Sequence, residues 1–334
     1  MPVVAAVVFV HGIGQQQRGP ATLAGPWQAA LADGVWKAGH GSLAARLRQP
    51  PGTAGAIAVE MAFYADLFDP PDRQGRSTDL GDLDPSEVAA IEELAGVLLR
   101  RAACVAGTEA DRRTAQDEVA RLEGRLGELQ GVGNVARGAL AAVARLRWFG
   151  PFGMAVAQRF VIRALVQVVR YLHEPALRQQ VQARVAGVVG ADTRVLIGHS
   201  LGSVVAFEAA CRMGGRLPLL VTLGSPLGIR RLVYDRLEPQ PPRFPERVDR
   251  WVNVAADDDI VAAVPGLTGL FPAGAPPAGT PANRAVDNRT VDNRTVDNGS
   301  APHDVIHYLT KKAVGAPVAD ALAADDSRRS GSER

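Results

Sequence analysis

Five short apolar runs are spaced along the chain, and none of them alternates regularly between apolar and polar positions. They span residues 3–10, 56–63, 194–197, 217–223 and 248–254. Continuous apolar runs of this length are typical of strands that are buried on both faces. Several intervening segments repeat apolar residues at helical spacing, as Leu23, Trp27 and Leu31 do. The pattern therefore predicts an α/β domain.

Residues 85–190 depart from this alternation because they contain almost no strand signal. Ala, Leu, Arg and Glu dominate the segment, and Asp84-Pro85-Ser86-Glu87 has the composition of a helix start. A helical block between two strands of one sheet is an insertion. We expect a core formed by residues 1–84 and 191–322, with a helical cap insertion at 85–190 above the strand ends. The polar tail at 323–334 is expected to be disordered.

One pentapeptide, Gly198-His199-Ser200-Leu201-Gly202, matches the pattern G-x-S-x-G. An apolar strand precedes it and a buried helix follows it, which is the setting that a nucleophile elbow requires. The turn would hold Ser200 in a strained conformation above the sheet edge, at a helix N-terminus that favours developing negative charge. A chance match in a glycine-rich chain is the alternative, and the flanking elements argue against it.

The first apolar run ends in His11-Gly12-Ile13-Gly14, where a strand breaks into a glycine-rich loop. Such a loop leaves backbone N–H groups at the sheet edge, where they can form an oxyanion hole. The donor in this loop is expected to be Ile13 or Gly14, supported by His11 and Gly12. Leu201, which follows the expected nucleophile, would be the second donor. The alternative is a plain tight turn that needs two glycines.

A serine nucleophile needs a general base, and the base needs an acid that orients it. His303 and His307 are the histidines that follow Ser200 at a distance along the chain. His303 is the preferred base because it lies in an expected loop just before a helix. His307, one helical turn later, is the alternate.

Three consecutive carboxylates, at positions 257–259, follow the last of the five apolar runs. Asp259 is preferred as the acid because Ile260-Val261-Ala262 follows it directly. Asp257 is the alternate. At least two of the three carboxylates then belong to a solvated turn.

Taken together, these residues resemble the α/β-hydrolase superfamily, in particular its bacterial lipase-like serine hydrolases. The matching segments are V-F-V-H-G-I-G, V-L-I-G-H-S-L-G-S-V-V-A-F-E, V-T-L-G-S-P-L-G, W-V-N-V, D-D-D-I-V-A and P-H-D-V-I-H-Y-L-T, in the family's order. The resemblance implies a mostly parallel central sheet flanked by helices that lacks the superfamily's first two strands. It supports Asp259 as the acid, although Ile260 stands where the family has proline, and it supports His303 as the base.

The resemblance also implies a serine hydrolase that cleaves a carboxylic ester through Ser200, His303 and Asp259 and an acyl-enzyme. No metal or cofactor is expected, and the expected partner is a small acyl ester. A thioesterase, an acyltransferase or a peptidase could use the same triad. A hypothesis from another class is a non-catalytic protein that docks partners through the helical insertion.

Composition narrows the classes of partner and compartment. The 334 residues carry a formal net charge of +2, which gives no general case for nucleic-acid binding. Cys104 and Cys211 form neither a disulfide framework nor a metal cluster, which fits a reducing compartment. No basic leader precedes the first apolar run, and no run is long enough to be a clear transmembrane helix. We therefore expect a cytoplasmic protein.

Arginines are spread among the apolar residues of the segments 135–148 and 152–172. The preferred interpretation is that these helices pack on the core while the arginine side chains reach water. The alternative is a membrane-surface contact or an acyl-chain tunnel for a lipid-like substrate.

Overall fold

Six strands form the sheet in the described part of the chain. The structure, a computed structural model, describes residues 5–68, 84–125, 138–143, 154–273 and 289–332. The strands are β1 (Val7–Val10), β2 (Val59–Ala62), β3 (Val195–His199), β4 (Leu217–Leu223), β5 (Val248–Ala256) and β6 (Asp292–Val296). They pair in the order β2-β1-β3-β4-β5-β6, and every pairing is parallel. Each of the five apolar runs thus contributes a strand.

Helices cover both faces of this sheet, so the fold is of the α/β class. They are α1 (Pro20–Lys37), α2 (Gly41–Arg48), α3 (Pro85–Val105), α4 (Glu109–Arg125), α5 (Met154–His173), α6 (Pro175–Ala186), α7 (Leu201–Arg212), α8 (Val305–Leu309) and α9 (Lys312–Ser332). Residues 138–143 are also helical. Within the described ranges, none of the helices combines the length and the apolar character that crossing a membrane requires.

Alternate residues of each strand point to opposite faces, and the sheet therefore separates two hydrophobic cores. Val7 and Phe9 of β1 lie in the core that α1 and α9 cover. Val8 and Val10 lie in the other core, together with the apolar side of α7. The strands β1, β3 and β4 are almost wholly buried, which explains their continuous apolar sequences, whereas the edge strands β2 and β6 are partly exposed.

The inserted helices share the second core instead of forming one of their own. Leu99 of α3 and Val169 of α5 are buried in the same cluster as Val10 and Val204. The insertion therefore packs on the side of the sheet that carries α7. Its residues 126–137 and 144–153 lie outside the described part of the chain.

The start of the insertion follows the sequence-based prediction. Asp84 caps α3: its carboxylate accepts hydrogen bonds from the N–H groups of Ser86 and Glu87, at 2.8 and 2.9 Å. The Glu87 carboxylate in turn accepts from the Asp84 N–H at 3.0 Å. This reciprocal capping box satisfies donors that the first helical turn would otherwise leave open.

The C-terminal segment of the described chain forms one long helix. Helix α9 continues to Ser332, while residues 333–334 lie outside the described part. Its N-terminal half is anchored on α1, where a Cβ on Gly315 would lie 2.0 Å from the Gly34 carbonyl oxygen. Alanine and leucine at 321–324 are strong helix formers, so the helix propagates beyond its anchored half.

The sheet has a topological switch point between β1 and β3, because successive strands are added on opposite sides of this position. The chain passes from β1 to β2 on one side, and from β3 through β4 and β5 to β6 on the other. In open parallel sheets such a switch point leaves a crevice beyond the carboxyl ends of the strands, where ligands bind. Val10 pairs with Gly198. The loops that follow β1 and β3 therefore leave the sheet side by side.

Candidate active site

The turn between β3 and α7 holds Ser200 in a strained backbone conformation. Its φ is 55° and its ψ is −129°, and a positive φ is uncommon for a residue with a side chain. The glycines on either side permit the turn because neither position has room for a side chain. A Cβ on Gly198 would lie 2.3 Å from the Gly202 carbonyl oxygen, and one on Gly202 would lie 2.2 Å from the Val10 carbonyl oxygen.

The loop after β1 packs directly against this serine. A Cβ on Gly12 would lie 2.9 Å from the Ser200 Cβ and 3.5 Å from its hydroxyl oxygen. Only glycine allows the backbone to come this close. The loop and the elbow, far apart in sequence, thus form two walls of one site.

Hydrogen bonds to the His11 side chain orient the backbone of that loop. Its Nδ1–H donates to the Gly12 carbonyl oxygen at 2.6 Å, and its Nε2 accepts from the Tyr64 N–H at 3.2 Å. Burial lowers the pKa of His11 to about 4, so the ring is neutral, as this pair of bonds requires. Because the N–H of a trans peptide points opposite to its carbonyl, the Ile13 N–H points away from the His11 ring.

The two expected donors in the loop after β1 differ in their partners. The Gly14 N–H donates to the Gln167 Oε1 at 3.0 Å, and Gln167 is a buried residue of α5. For the Ile13 N–H, the residues that the structure describes provide no acceptor. Leu201 is the first residue of α7, where an N–H has no partner within the helix. Of the three expected donors, the N–H groups of Ile13 and Leu201 are thus the two without an acceptor among the described residues.

Asp259 and His303 form a hydrogen-bonded pair beyond the ends of β4 and β5. The His303 Nδ1 lies 2.9 Å from the Asp259 Oδ2, which also accepts from the Tyr308 hydroxyl at 2.6 Å. The Oδ1 accepts from the N–H groups of Val261 and Ala262. Burial alone would raise the pKa of Asp259, but His303 and these hydrogen bonds hold it below its usual value. The acid is therefore an anion with four donors.

Gly224 lies between this pair and the elbow. The Ser200 N–H donates to the carbonyl oxygen of Leu223, and Gly224 follows with a φ of +52°. A Cβ on Gly224 would lie 2.7 Å from the Asp259 Oδ2 and 2.9 Å from the His303 Nδ1. The space that a side chain would occupy here is filled by the acid–base pair.

His199 supports the base from the elbow side. Its Nε2–H donates to the His303 carbonyl oxygen at 2.9 Å. Burial, and the neighbouring His303, lower the pKa of His199 to about 3. The ring is therefore neutral, and it fixes the backbone that carries the His303 imidazole.

The alternates named from the sequence lie outside this arrangement. The Asp257 side chain is exposed, and its carbonyl oxygen accepts from Arg101 at 3.0 Å. His307 donates from Nδ1 to the Asn298 carbonyl oxygen at 2.7 Å. The structure therefore brings Asp259 together with His303, and neither of the alternates.

Three residues of the site were missed by the sequence reasoning. Gly224 stands in the V-T-L-G-S-P-L-G segment, which carries part of the family resemblance but indicates no role for its glycine. Tyr308 lies in α8, the short helix that follows the expected base, and that position could have placed it near the acid. Gln167 is one of the few uncharged polar residues in the apolar stretch of α5, and no sequence signal connects it to the loop after β1.

Comparison with known proteins gives no further assignment. No protein family, curated protein or solved structure matches this chain. In the described residues, no group of three or more histidines, cysteines and carboxylates is placed so that it could hold a metal ion. The function must therefore be argued from the geometry itself.

Proposed function

We propose that this protein is a serine hydrolase of the α/β-hydrolase fold that cleaves carboxylic esters, with Ser200 as nucleophile. The observation that carries the proposal is the Asp259–His303 pair, with a buried carboxylate and a partly exposed imidazole, next to the turn in which Ser200 has a φ of 55°. The parallel sheet and the strand order agree with a member of that superfamily that lacks its first two strands. The helices of the insertion, which reach the site through Gln167, are proposed as its cap.

The base acts through the nitrogen that does not face the acid. Because the Asp259 carboxylate is ionised, the His303 Nδ1 carries the proton that bonds to it, and the Nε2 keeps its lone pair. The Nε2 takes the Ser200 proton as the hydroxyl oxygen attacks the acyl carbonyl carbon. Asp259 then stabilises the imidazolium. His303 returns the proton to the alcohol that leaves, and water hydrolyses the acyl-enzyme.

The oxyanion that forms during the attack needs preorganised donors. We assign this role to the N–H groups of Ile13 and Leu201, because the Gly14 N–H is already bonded to Gln167. Each donor of this kind stabilises the transition state by about 3 kcal/mol. His11 contributes indirectly, since its bond to the Gly12 carbonyl sets the direction of the Ile13 N–H.

A fluorophosphonate probe tests the proposal, because it reacts covalently with an activated serine. We expect the wild-type protein to be labelled, and Ser200→Ala to lose both labelling and the hydrolysis of p-nitrophenyl esters. Ser225→Ala is the matched control and should retain labelling. Absence of labelling in folded wild-type protein, shown by an intact thermal transition, would contradict the proposal. Equal labelling of the Ser200→Ala variant would contradict it as well.

A further inference from the structure

A cavity lies beside the loop that contains Asp259, and its lining combines apolar side chains with arginine side chains. Its volume is about 510 Å³, which is within the range of small-molecule sites. The apolar lining includes Val97 of α3, Ile229 and Val264. The basic lining consists of Arg100, Arg101 and Arg230, and no carboxylate lines the cavity among the described residues.

The arginines have no carboxylate partner in the described part of the chain. None of the ion pairs found there includes Arg100, Arg101 or Arg230. Arg101 donates to a backbone carbonyl oxygen, that of Asp257, and Arg230 lies 5.2 Å from the ring centroid of Tyr234. Positive charge is thus gathered around an apolar cavity, and among the described residues no ion pair neutralises it.

The cavity is bounded by the same two loops that hold the acid–base pair. Gly228 and Arg230 belong to the loop that begins at Gly224, which abuts His303. Ala263 belongs to the loop that contains Asp259. A molecule that fills the cavity would therefore lie between these two loops and the C-terminal part of α3.

We propose that this cavity selects esters whose apolar chain carries an anionic group, a carboxylate or a phosphate. The aliphatic lining accommodates the chain, and the arginine guanidinium groups bind the anion through charge-assisted hydrogen bonds. The proposal deepens the proposed function and rests on it, since it names the substrate class of the same site.

The first experiment compares two esters that differ only at the end of the acyl chain. p-Nitrophenyl hexanoate ends in a methyl group, and mono-p-nitrophenyl adipate ends in a carboxylate on a chain of the same length. We expect wild type to show a higher kcat/KM for the adipate ester. Arg100→Gln and Arg230→Gln should each lower that preference by about tenfold, and added salt should lower it as well. Arg243→Gln, at an exposed position outside the cavity lining, is the matched control and should leave the ratio unchanged.

The second experiment measures binding without turnover and separates the two anions. Calorimetry on Ser200→Ala compares hexyl phosphate, hexanoate and hexanol. We expect one of the two anions to bind more tightly than hexanol, and Arg230→Gln to remove the difference. Tighter binding of hexyl phosphate would assign the site to phosphate esters, and tighter binding of hexanoate to carboxylates.

The outcomes distinguish this inference from the proposed function. Hydrolysis that depends on Ser200, with the same ester preference in wild type, Arg100→Gln and Arg230→Gln, would overturn the cavity proposal alone. Binding of the anions no tighter than that of hexanol would overturn it too. If neither ester is hydrolysed but hexyl phosphate binds and Arg230→Gln abolishes the binding, the anion site stands and the hydrolase proposal fails.

Discussion

The turns after β3 and β4 lie side by side, and each contains a glycine and a serine. Each turn needs one residue with a positive φ, and a different residue supplies it in each. His199 pairs with Leu223, so the turns after β3 and β4 leave the sheet at the same level. After β3, Ser200 itself adopts a positive φ and α7 follows at once. After β4, Gly224 adopts the positive φ, and Pro226 follows Ser225.

The difference decides what each serine is able to do. The Ser225 hydroxyl accepts hydrogen bonds from the Ser203 hydroxyl at 2.7 Å and from the Leu227 N–H at 3.2 Å. It therefore stabilises its own loop. At the β4 turn the absence of a side chain on Gly224 is the useful property, because it makes room for His303 and Asp259. In the proposed function, one turn presents the nucleophile, and the other leaves space for the groups that would activate it.

The largest effect is expected from filling that space. Gly224→Ala places a methyl group where the Asp259 Oδ2 and the His303 ring lie, and it forces alanine into a positive φ. We expect ester hydrolysis to fall by at least about 100-fold, because displacement of the base by an ångström costs this much. Steady-state kinetics and a thermal melt measure the change.

Gly214→Ala is the control for this substitution, since its Cβ would meet no atom within 4 Å. It should leave both kcat and the melting temperature close to wild type. Full activity in Gly224→Ala would show that the turn after β4 does not constrain the acid–base pair.

A smaller loss of activity is expected from a substitution that affects the loop after β1. The turn after β4 has no comparable hydrogen bond to the inserted helices among the described residues. Gln167→Met keeps the size of the side chain but removes the acceptor for the Gly14 N–H. The loop that presents the Ile13 N–H then loses a fixed point, so we expect kcat to fall by about tenfold with little change in KM. Gln179→Met, an exposed substitution on α6, is the control. A KM effect with unchanged kcat would instead place Gln167 in substrate binding.

The last prediction concerns the stability of the fold rather than the rate, and it tests the His199 imidazole at the β3 turn. His199 has a pKa of about 3 in the folded protein, against 6.5 for an unperturbed histidine, so the unfolded chain binds its proton first as the pH falls. The stabilisation is complete above pH 6.5 and is lost as the pH falls towards 3, at about 1.4 kcal/mol per pH unit. His11 adds a similar slope down to about pH 4.

His199→Gln isolates this contribution, because its amide can donate to the same carbonyl but does not titrate. Urea denaturation between pH 6 and pH 4 should give a free energy of unfolding that falls less steeply in the variant, by about 1.4 kcal/mol per pH unit. Identical slopes would mean that His199 is not held neutral by burial.

Much of the site follows from local sequence, because strand ends and turn glycines constrain their neighbours directly. The run before His11, the strand–turn–helix around Ser200 and the loop position of His303 all indicate positions at one edge of the sheet. The pairing of Asp259 with His303 needed only the order of these segments. The choice among three adjacent carboxylates depended on the resemblance to a family.

Contacts between distant segments could not be derived in this way. Gln167 reaches Gly14 because α5 packs on the core that β1 shares, and helical periodicity does not specify the neighbour of a helix. The insertion was expected to lie over the strand ends, and nothing in its composition indicates that Leu99 and Val169 join the core of the sheet. The packing of α9 on α1 through Gly315 and Gly34 likewise has no signal in the local sequence.

The central position of β1 has a consequence for how the molecule is made. One edge of β1 pairs with β2, soon after it in the chain, whereas the other pairs with Val195–Gly198. During synthesis this apolar edge has no partner until more than half of the chain has been translated, a delay on the order of ten seconds or more. An unpaired hydrophobic strand edge invites association with other chains. Production of this protein should therefore depend on chaperones that shield nascent chains, and slower growth at low temperature should raise the soluble yield.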